Sequence, residues 1–119
     1  MENKKTLYFY QVVYGLFINK SDISLDYCEV EMTERPKTYI SEKNVPMFGI
    51  GNRVRKADIG KIIGYNNNTV VLEEKNDELA KELLKKEYQR RLDREMDTVR
   101  QLEAIINAVD QWKLGDSPD

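Results

Sequence analysis

The stretch Asn76–Leu114 constrains the fold more than any other part of the sequence, because it runs without Gly or Pro. Large apolar side chains recur along it at steps of three and four residues, which is the period of an α-helix. Asn76 is a favourable N-cap, and acidic residues follow it directly at the positive end of the helix dipole. Gly115 and then Pro118 supply a stop. The pattern predicts one long helix over residues 76–114.

The predicted helix is longer than the rest of the chain is wide. It would measure roughly 55 Å, whereas the 75 or so residues before it would form a body roughly 30 Å across. Its first part is densely charged, and its second part is apolar. We expect the second part to be buried against a second copy of the chain, through Leu102, Ile105, Ile106, Val109 and Trp112. Packing of the whole helix on its own sheet is the alternative.

The heptad pattern in this helix is imperfect. A short helical bundle or hairpin in a homodimer is therefore favoured over a long regular coiled coil. If these five large apolar side chains stayed in water, the protein would lose roughly ten kcal/mol of favourable burial free energy, before the entropy cost of ordering them is subtracted.

Aromatic and β-branched runs before the helix predict about four strands. The predicted strands are Thr6–Ile18, Ile23–Thr33, Lys37–Ser41 and Thr69–Glu73. The first two form an N-terminal hairpin through a turn at 19–22, and Gly15 marks a bulge or a close backbone approach. Within the second strand the apolar phase shifts by one residue at Cys28, which predicts a β-bulge. The loop at 42–52 is unusually apolar, so it either folds back over the core or binds a partner.

The fold class is therefore α+β, a small antiparallel sheet followed by one long C-terminal helix. We predict an antiparallel β domain over residues 1–75. The helix at 76–114 then packs on the sheet and on a partner chain, and residues 115–119 form a disordered tail.

Composition excludes several classes of function. The 119 residues carry a net charge of only −2, so the protein as a whole does not attract nucleic acid or an anionic membrane electrostatically. There is no His, so the commonest general base and zinc ligand are missing. Cys28 is the single cysteine and lacks a His partner, so a core thiol is the favoured interpretation. These features predict a non-enzymatic protein with no catalytic residue, metal or cofactor.

Two further features concern localisation. No apolar run reaches the length of a membrane span, and the N-terminus lacks the pattern of a signal peptide. The sequence predicts a cytoplasmic protein without a membrane partner.

Three residue groups are candidate binding sites. The basic residues Arg53, Arg55, Lys56 and Lys61 surround Gly60. Their order does not match a phosphate-binding loop, so they form either a solvated edge or a contact to nucleic-acid backbone or an acidic protein surface. Tyr10 and Tyr14 share one face of the first strand.

Those tyrosines could stack on bases, anchor a protein interface, or lie in the core under the helix. The third group is the acidic second strand, which contains Asp22, Asp26, Glu29, Glu31 and Glu34. A carboxylate pair there could bind a metal or do acid–base chemistry, although no third ligand converges on it. An acidic strand edge that prevents sheet-to-sheet aggregation is the simpler interpretation.

Three segments together resemble a known class of proteins. They are KTYI from Lys37, RKADIGKIIG from Arg55, and TVVLEE from Thr69 before the charged helix. With them, residues 37–114 look like small uncharacterised proteins of phages and mobile elements in Gram-positive bacteria. That size class includes phage-encoded inhibitors of host defence, among them anti-CRISPR proteins. The resemblance implies a stoichiometric blocker of a host protein and transfers no functional residue to this sequence.

The leading hypothesis from the sequence is a homodimeric interaction protein. It would inhibit a host protein or nucleoprotein, such as a CRISPR-associated nuclease, by stoichiometric binding. The alternative is an accessory or regulatory protein that contacts nucleic acid directly through Arg53, Arg55, Lys56 and Lys61. A metal-dependent enzyme built on the acidic strand is a third option.

Overall fold

The structure is a computed structural model, and it describes residues 3–14 and 23–112. Within these residues six strands precede a single α-helix, and a 3-10 turn, Lys56–Asp58, lies between the fourth and fifth strands. The elements are β1 (Lys4–Val13), β2 (Ser24–Glu34), β3 (Thr38–Ile40), β4 (Arg53–Arg55), β5 (Ile62–Ile63), β6 (Thr69–Leu72) and α1 (Asp77–Gln111). The predicted turn at 19–22, the bulge at Gly15 and the tail at 115–119 lie outside the described residues.

The predicted α+β class is confirmed, with an antiparallel sheet followed by one long C-terminal helix. The four predicted strands are present as β1, β2, β3 and β6. The prediction missed β4 and β5, which are three and two residues long. In β4 a single valine stands between two arginines, and in β5 two isoleucines stand between Lys61 and Gly64, so neither shows the run of aromatic and β-branched residues that predicts a strand.

All five strand pairings are antiparallel, in the order β4-β3-β2-β1-β6-β5. The longest strands, β1 and β2, pair along their whole length, from Lys4 opposite Thr33 to Val13 opposite Ser24. On its other side β1 pairs with β6, where Gln11 lies opposite Thr69. β1 therefore lies inside the sheet, between β2 and β6, as a strand with two apolar faces should.

The two faces of the sheet are covered by different parts of the chain. We call them the loop face and the helix face. On the loop face, Leu7 and Phe9 of β1 pack under the segments at 45–50 and 59–63. The buried side chains on this face are Leu7, Phe9, Met32, Tyr39, Val45, Val54 and Val71. The apolar loop thus folds back over the core, which was one of the two predicted outcomes.

On the helix face, the start of α1 forms the cover. Ala80 and Leu84 are buried there in one cluster with Tyr10 of β1 and with Val70 and Leu72 of β6. Ala80 has no exposed surface, and its small side chain lets the helix backbone approach the sheet closely. The first turns of the helix therefore belong to the core of the β domain.

The predicted β-bulge in β2 is wrong. β1 and β2 keep one register through all ten pairs, without an inserted residue. The apolar phase changes because β2 supplies side chains to both faces: Leu25 and Tyr27 lie on the helix face, and Cys28 begins the run on the loop face. Because different parts of the chain cover the loop face and the helix face, the apolar phase of β2 shifts without any break in the strand pairing.

Local signals in the sequence were more reliable. Asn76 caps the helix, because its side-chain Oδ1 accepts a hydrogen bond from the Leu79 N–H at 3.0 Å. Gly60 follows the 3-10 turn at φ +76°. The run of three Asn residues at 66–68 forms a turn, in which Asn67 has φ +50°, a conformation that Asn tolerates.

The segment between β4 and β5 shows that the sheet is curled. Arg55 and Ile62 are seven steps apart, about 24 Å at full extension, and a 3-10 turn shortens that span. In a flat six-stranded sheet the outer strands would lie about 24 Å apart. The same segment hydrogen-bonds to β6, where the Gly60 N–H donates to the Val71 carbonyl at 2.9 Å. The two edge strands are therefore drawn toward each other.

The chain divides into two compact units, Met1–Lys86 and Glu87–Asp119. The sequence places the end of the β domain at residue 75, where the helix was expected to begin. The structural division lies eleven residues further on, after Lys86, because Ala80 and Leu84 are part of the core of the first unit. The second unit contains the remaining helical residues, Glu87–Gln111.

Candidate interaction surfaces

One apolar stripe runs along the second unit. We call it the helix stripe, and it consists of Leu92, Met96, Val99, Leu102, Ile105, Ile106, Val109 and Trp112. These side chains are between 42% and 67% exposed, whereas Leu84, earlier in the same helix, is 3% exposed. The stripe includes all five residues that the sequence predicts for an oligomer interface. Its first three members extend the predicted surface toward the N-terminus of the helix.

Charged side chains occupy the other faces of this helical segment and form ion pairs with one another. Glu87 pairs with Arg90 at 2.7 Å and with Arg91 at 3.0 Å, and Arg100 pairs with Asp97 at 3.3 Å. Hydrogen bonds from Arg90 and Arg91 hold the pKa of the Glu87 carboxyl below its ordinary value. The Arg100–Asp97 pair is exposed and contributes little to stability, whereas the Glu87 side chain is only 13% exposed. The charged faces are thus locally paired, while the side chains of the helix stripe are largely exposed.

A second exposed apolar group lies in the first unit, at the end of β1. Phe48 and Tyr65 are 72% and 78% exposed, and their rings meet edge to face at 6.0 Å between centroids. Tyr14, also partly exposed, lines a depression of about 280 Å³ together with Phe48, Asn66 and Asn68. We call Tyr14, Phe48 and Tyr65 the aromatic surface. Exposed aromatic clusters with polar neighbours are typical of binding sites.

Buried polar contacts fix the position of the aromatic surface. The Gln11 side chain is buried and donates hydrogen bonds to the Phe48 carbonyl at 2.8 Å and to the Thr69 hydroxyl at 3.0 Å. Gly49 has φ +80°, and a Cβ at this position would lie 2.9 Å from the Tyr65 Cβ. Glycine therefore permits the close approach that brings Phe48 beside Tyr65. The loop at 42–52 is anchored, and Phe48 is its one exposed large apolar side chain.

The structure separates the two predicted tyrosines. Tyr14 belongs to the aromatic surface, but Tyr10 is buried on the helix face. The Tyr10 hydroxyl donates a hydrogen bond to Asp77 Oδ1 at 2.8 Å, and Lys75 pairs with the same carboxylate at 2.9 Å. Tyr10 is 2% exposed and lines a shallow depression beside Tyr27 and Lys81, and its assignment as a binding residue stays a prediction. It joins the sheet to the start of the helix.

This buried tyrosine gives a prediction for alkaline pH. Burial and the hydrogen bond to Asp77 raise the pKa of Tyr10 from 10.0 to about 12. Between these values the unfolded chain loses the phenolic proton and the folded chain keeps it, so stability falls as pH rises. We expect Tyr10→Phe to flatten that fall, measured by urea unfolding from pH 9 to pH 12. An unchanged slope would contradict the role of Tyr10, and Tyr14→Phe serves as the matched control.

The four predicted basic residues form no single free cationic patch. Arg55 pairs with Asp58 at 3.1 Å, and Lys56 pairs with Glu34. Arg53 lies in β4 and Lys61 directly precedes β5, and both side chains are exposed. Half of the predicted cations are therefore neutralised by carboxylates at contact distance, which weakens their attraction for phosphate.

The acidic strand shows no metal site. Within residues 3–14 and 23–112, no three Cys, Asp or Glu side chains converge as metal ligands would. Asp26 lies on the loop face and Glu29 on the helix face, because neighbouring β2 residues alternate. Asp22 lies outside the described residues. Cys28 is partly buried, and burial raises the pKa of its thiol, which disfavours the reactive thiolate.

No protein-family model, curated protein or solved structure matches this chain. In the described part of the chain, no helix has both the length and the apolar character needed to cross a membrane.

The sequence analysis missed the aromatic surface as a unit. Phe48 lies in a loop that was recognised as apolar, but Tyr65 was assigned no role. The sequence offered one signal, because each aromatic residue lies next to a glycine, Phe48 before Gly49 and Tyr65 after Gly64. Both glycines have positive φ. Such glycines let an aromatic side chain project from a tight turn, but they do not reveal that two turns meet.

Proposed function

We propose that this protein is a non-enzymatic interaction protein that self-associates through the helix stripe and acts by stoichiometric binding to another protein. The observation that carries the proposal is the contrast within α1. Leu84 is buried against the sheet, while eight large apolar side chains from Leu92 to Trp112 remain open to water. Contiguous exposed apolar surfaces of this kind are typical of protein–protein interfaces.

The aromatic surface is the proposed contact for a different protein. Gln11 and Gly49 fix the backbone beneath it, so less backbone entropy is lost when a complex forms. The resemblance to phage accessory proteins suggests the class of target, a host defence protein such as a CRISPR-associated nuclease. In this proposal the chain blocks its target by occupying a surface and catalyses no reaction.

Sedimentation velocity tests the self-association. We expect the wild-type protein at tens of micromolar to sediment as a dimer of the 14.0 kDa chain. Ile106→Asp should shift it to monomer, because burying an unpaired carboxylate in an apolar interface is strongly unfavourable. Ala104→Asp adds the same charge two residues away, off the helix stripe, and should stay dimeric. A strictly monomeric wild-type protein would overturn this part of the proposal.

The target assignment has its own test. Purified protein is titrated into DNA-cleavage assays with a panel of CRISPR-associated nucleases, and binding is measured by calorimetry. A stoichiometric inhibitor should abolish cleavage by one nuclease near a fixed molar ratio. Phe48→Ala with Tyr65→Ala should remove inhibition without unfolding the protein, since both side chains are largely exposed. Absence of binding to every nuclease would reject this class of target.

A nucleic-acid contact is the second candidate, favoured by the exposure of Arg53 and Lys61. Electrophoretic mobility shift over a salt series distinguishes it, because each phosphate contact steepens the loss of affinity with salt. Binding that weakens steeply with salt and is lost in Arg53→Ala would support this candidate. The absence of any shift at low salt would remove it.

A further inference from the structure

The two flanks of the helix stripe differ in chemistry, and this difference bears on the orientation in which a second copy would pair with it. Within α1, Val99, Leu102, Ile106 and Val109 follow each other at steps of three, four and three. They occupy the a and d positions of a heptad, with Val99 and Ile106 at a. This core is short and falls entirely within the exposed part of the helix.

The two flanks of this core have opposite chemistry. On the g flank lie Thr98, Ile105 and Trp112, of which the last two are 58% and 67% exposed. On the e flank lie Met96, Glu103 and Asp110. Near the middle of the core, one flank is therefore apolar and the other acidic.

The orientation of the second copy decides which flanks meet. In a parallel pair each g position faces an e position of the other helix, five residues further along. Ile105 would then lie against Asp110 of the second copy, and Thr98 against Glu103. In an antiparallel pair each flank faces its own counterpart, so Ile105 lies beside Ile105 of the second copy and Trp112 beside Thr98.

We propose that two copies pair antiparallel over Val99–Val109, with Leu102 of each packed against Ile106 of the other and Val99 against Val109. This arrangement covers the apolar flank with itself and avoids placing Ile105 on a carboxylate. Glu103 then approaches its own counterpart at the rim, where water screens both charges. The inference rests on the proposed self-association and adds its orientation and register.

The size of the overlap fits a reversible dimer. Each copy contributes six large side chains at most, Val99, Leu102, Ile105, Ile106, Val109 and Trp112. An interface of that kind lies near the small end of specific interfaces, at about 1,200 Å² in total. It should therefore be populated at micromolar concentrations and above, the range in which the test is made.

Disulfide trapping tests the orientation. All proteins carry Cys28→Ala, which removes the only native thiol. Leu102→Cys and Ile106→Cys are oxidised in a glutathione buffer, each alone and mixed in equal amounts. Antiparallel pairing predicts a cross-linked dimer mainly in the mixture, about fivefold above either variant alone, because a disulfide requires Cα atoms within about 7 Å. The Cys28→Ala parent, which then has no thiol, gives the background.

The outcomes separate the two proposals. Cross-linking of each variant with itself, as strongly as in the mixture, would show parallel pairing and overturn the inference while leaving self-association intact. No cross-link in any sample, with a parent that sediments as a dimer, would overturn the proposed register. A monomeric parent in sedimentation would overturn self-association itself, and the inference with it.

Discussion

Replacing Phe9 by alanine is expected to lower the free energy of unfolding by about 3–5 kcal/mol. Phe9 has no exposed surface, and it packs at the centre of the loop-face cluster. It lies between the two neighbouring strands, opposite Cys28 of β2 and Val71 of β6. Truncation therefore leaves a cavity in the central strand, which the fixed strand register prevents from closing. Urea unfolding followed by circular dichroism measures the change.

The same substitution at Phe48 provides the matched control. Phe48 is 72% exposed, so Phe48→Ala should change the unfolding free energy by less than about 0.5 kcal/mol. A loss at Phe48 as large as that at Phe9 would show that the aromatic surface is part of the core. A small loss at Phe9 would contradict the observed sheet packing.

A matched pair of leucine substitutions separates the two parts of the helix. Leu84→Ala should cost about 2–5 kcal/mol of stability, because Leu84 is buried against Tyr10 and the β6 side chains. This loss should not depend on protein concentration, since the contacts lie within one chain. Thermal unfolding at several concentrations measures both properties.

Leu102→Ala should behave differently. At submicromolar concentration, where the proposed dimer dissociates, it should leave the stability nearly unchanged, because Leu102 is 54% exposed in the single chain. At high concentration it should lower the melting temperature, since a subunit that binds only the folded state stabilises it by mass action. A concentration-independent loss at Leu102 would indicate packing within the chain.

The local signals of the sequence identified the backbone features they encode directly. The helix is indicated by the N-cap residue Asn76 and by the stretch without Gly or Pro after it. The turn is indicated by the Asn residues at 66–68. These signals work because capping and left-handed backbone depend on one or two side chains each. The short strands β4 and β5 depend instead on which distant segments they meet. Only the folded sheet supplies that information.

Side-chain environments could be predicted only in part. Tyr10 and Tyr14 have the same residue type and strand face in the sequence, yet Tyr10 is buried with Ala80 of the helix and Tyr14 is 37% exposed. The distinction depends on where Asp77 and Ala80 dock, which no local pattern specifies. The phase shift in β2 was misread for a similar reason, because a strand covered on both faces mimics a bulge in sequence.

The place of β1 in the strand order has a consequence for how quickly the chain folds. β1 pairs with β2 and also with β6, whose partner residues lie about 58–64 positions later in the sequence. Closing so long a loop requires much chain entropy to be lost before the contacts form. The β1–β2 ladder can form early, but Leu7 and Phe9 stay uncovered until the loop at 42–52 and then β6 arrive. Folding is therefore expected in milliseconds to seconds rather than microseconds, with a transiently exposed sheet face.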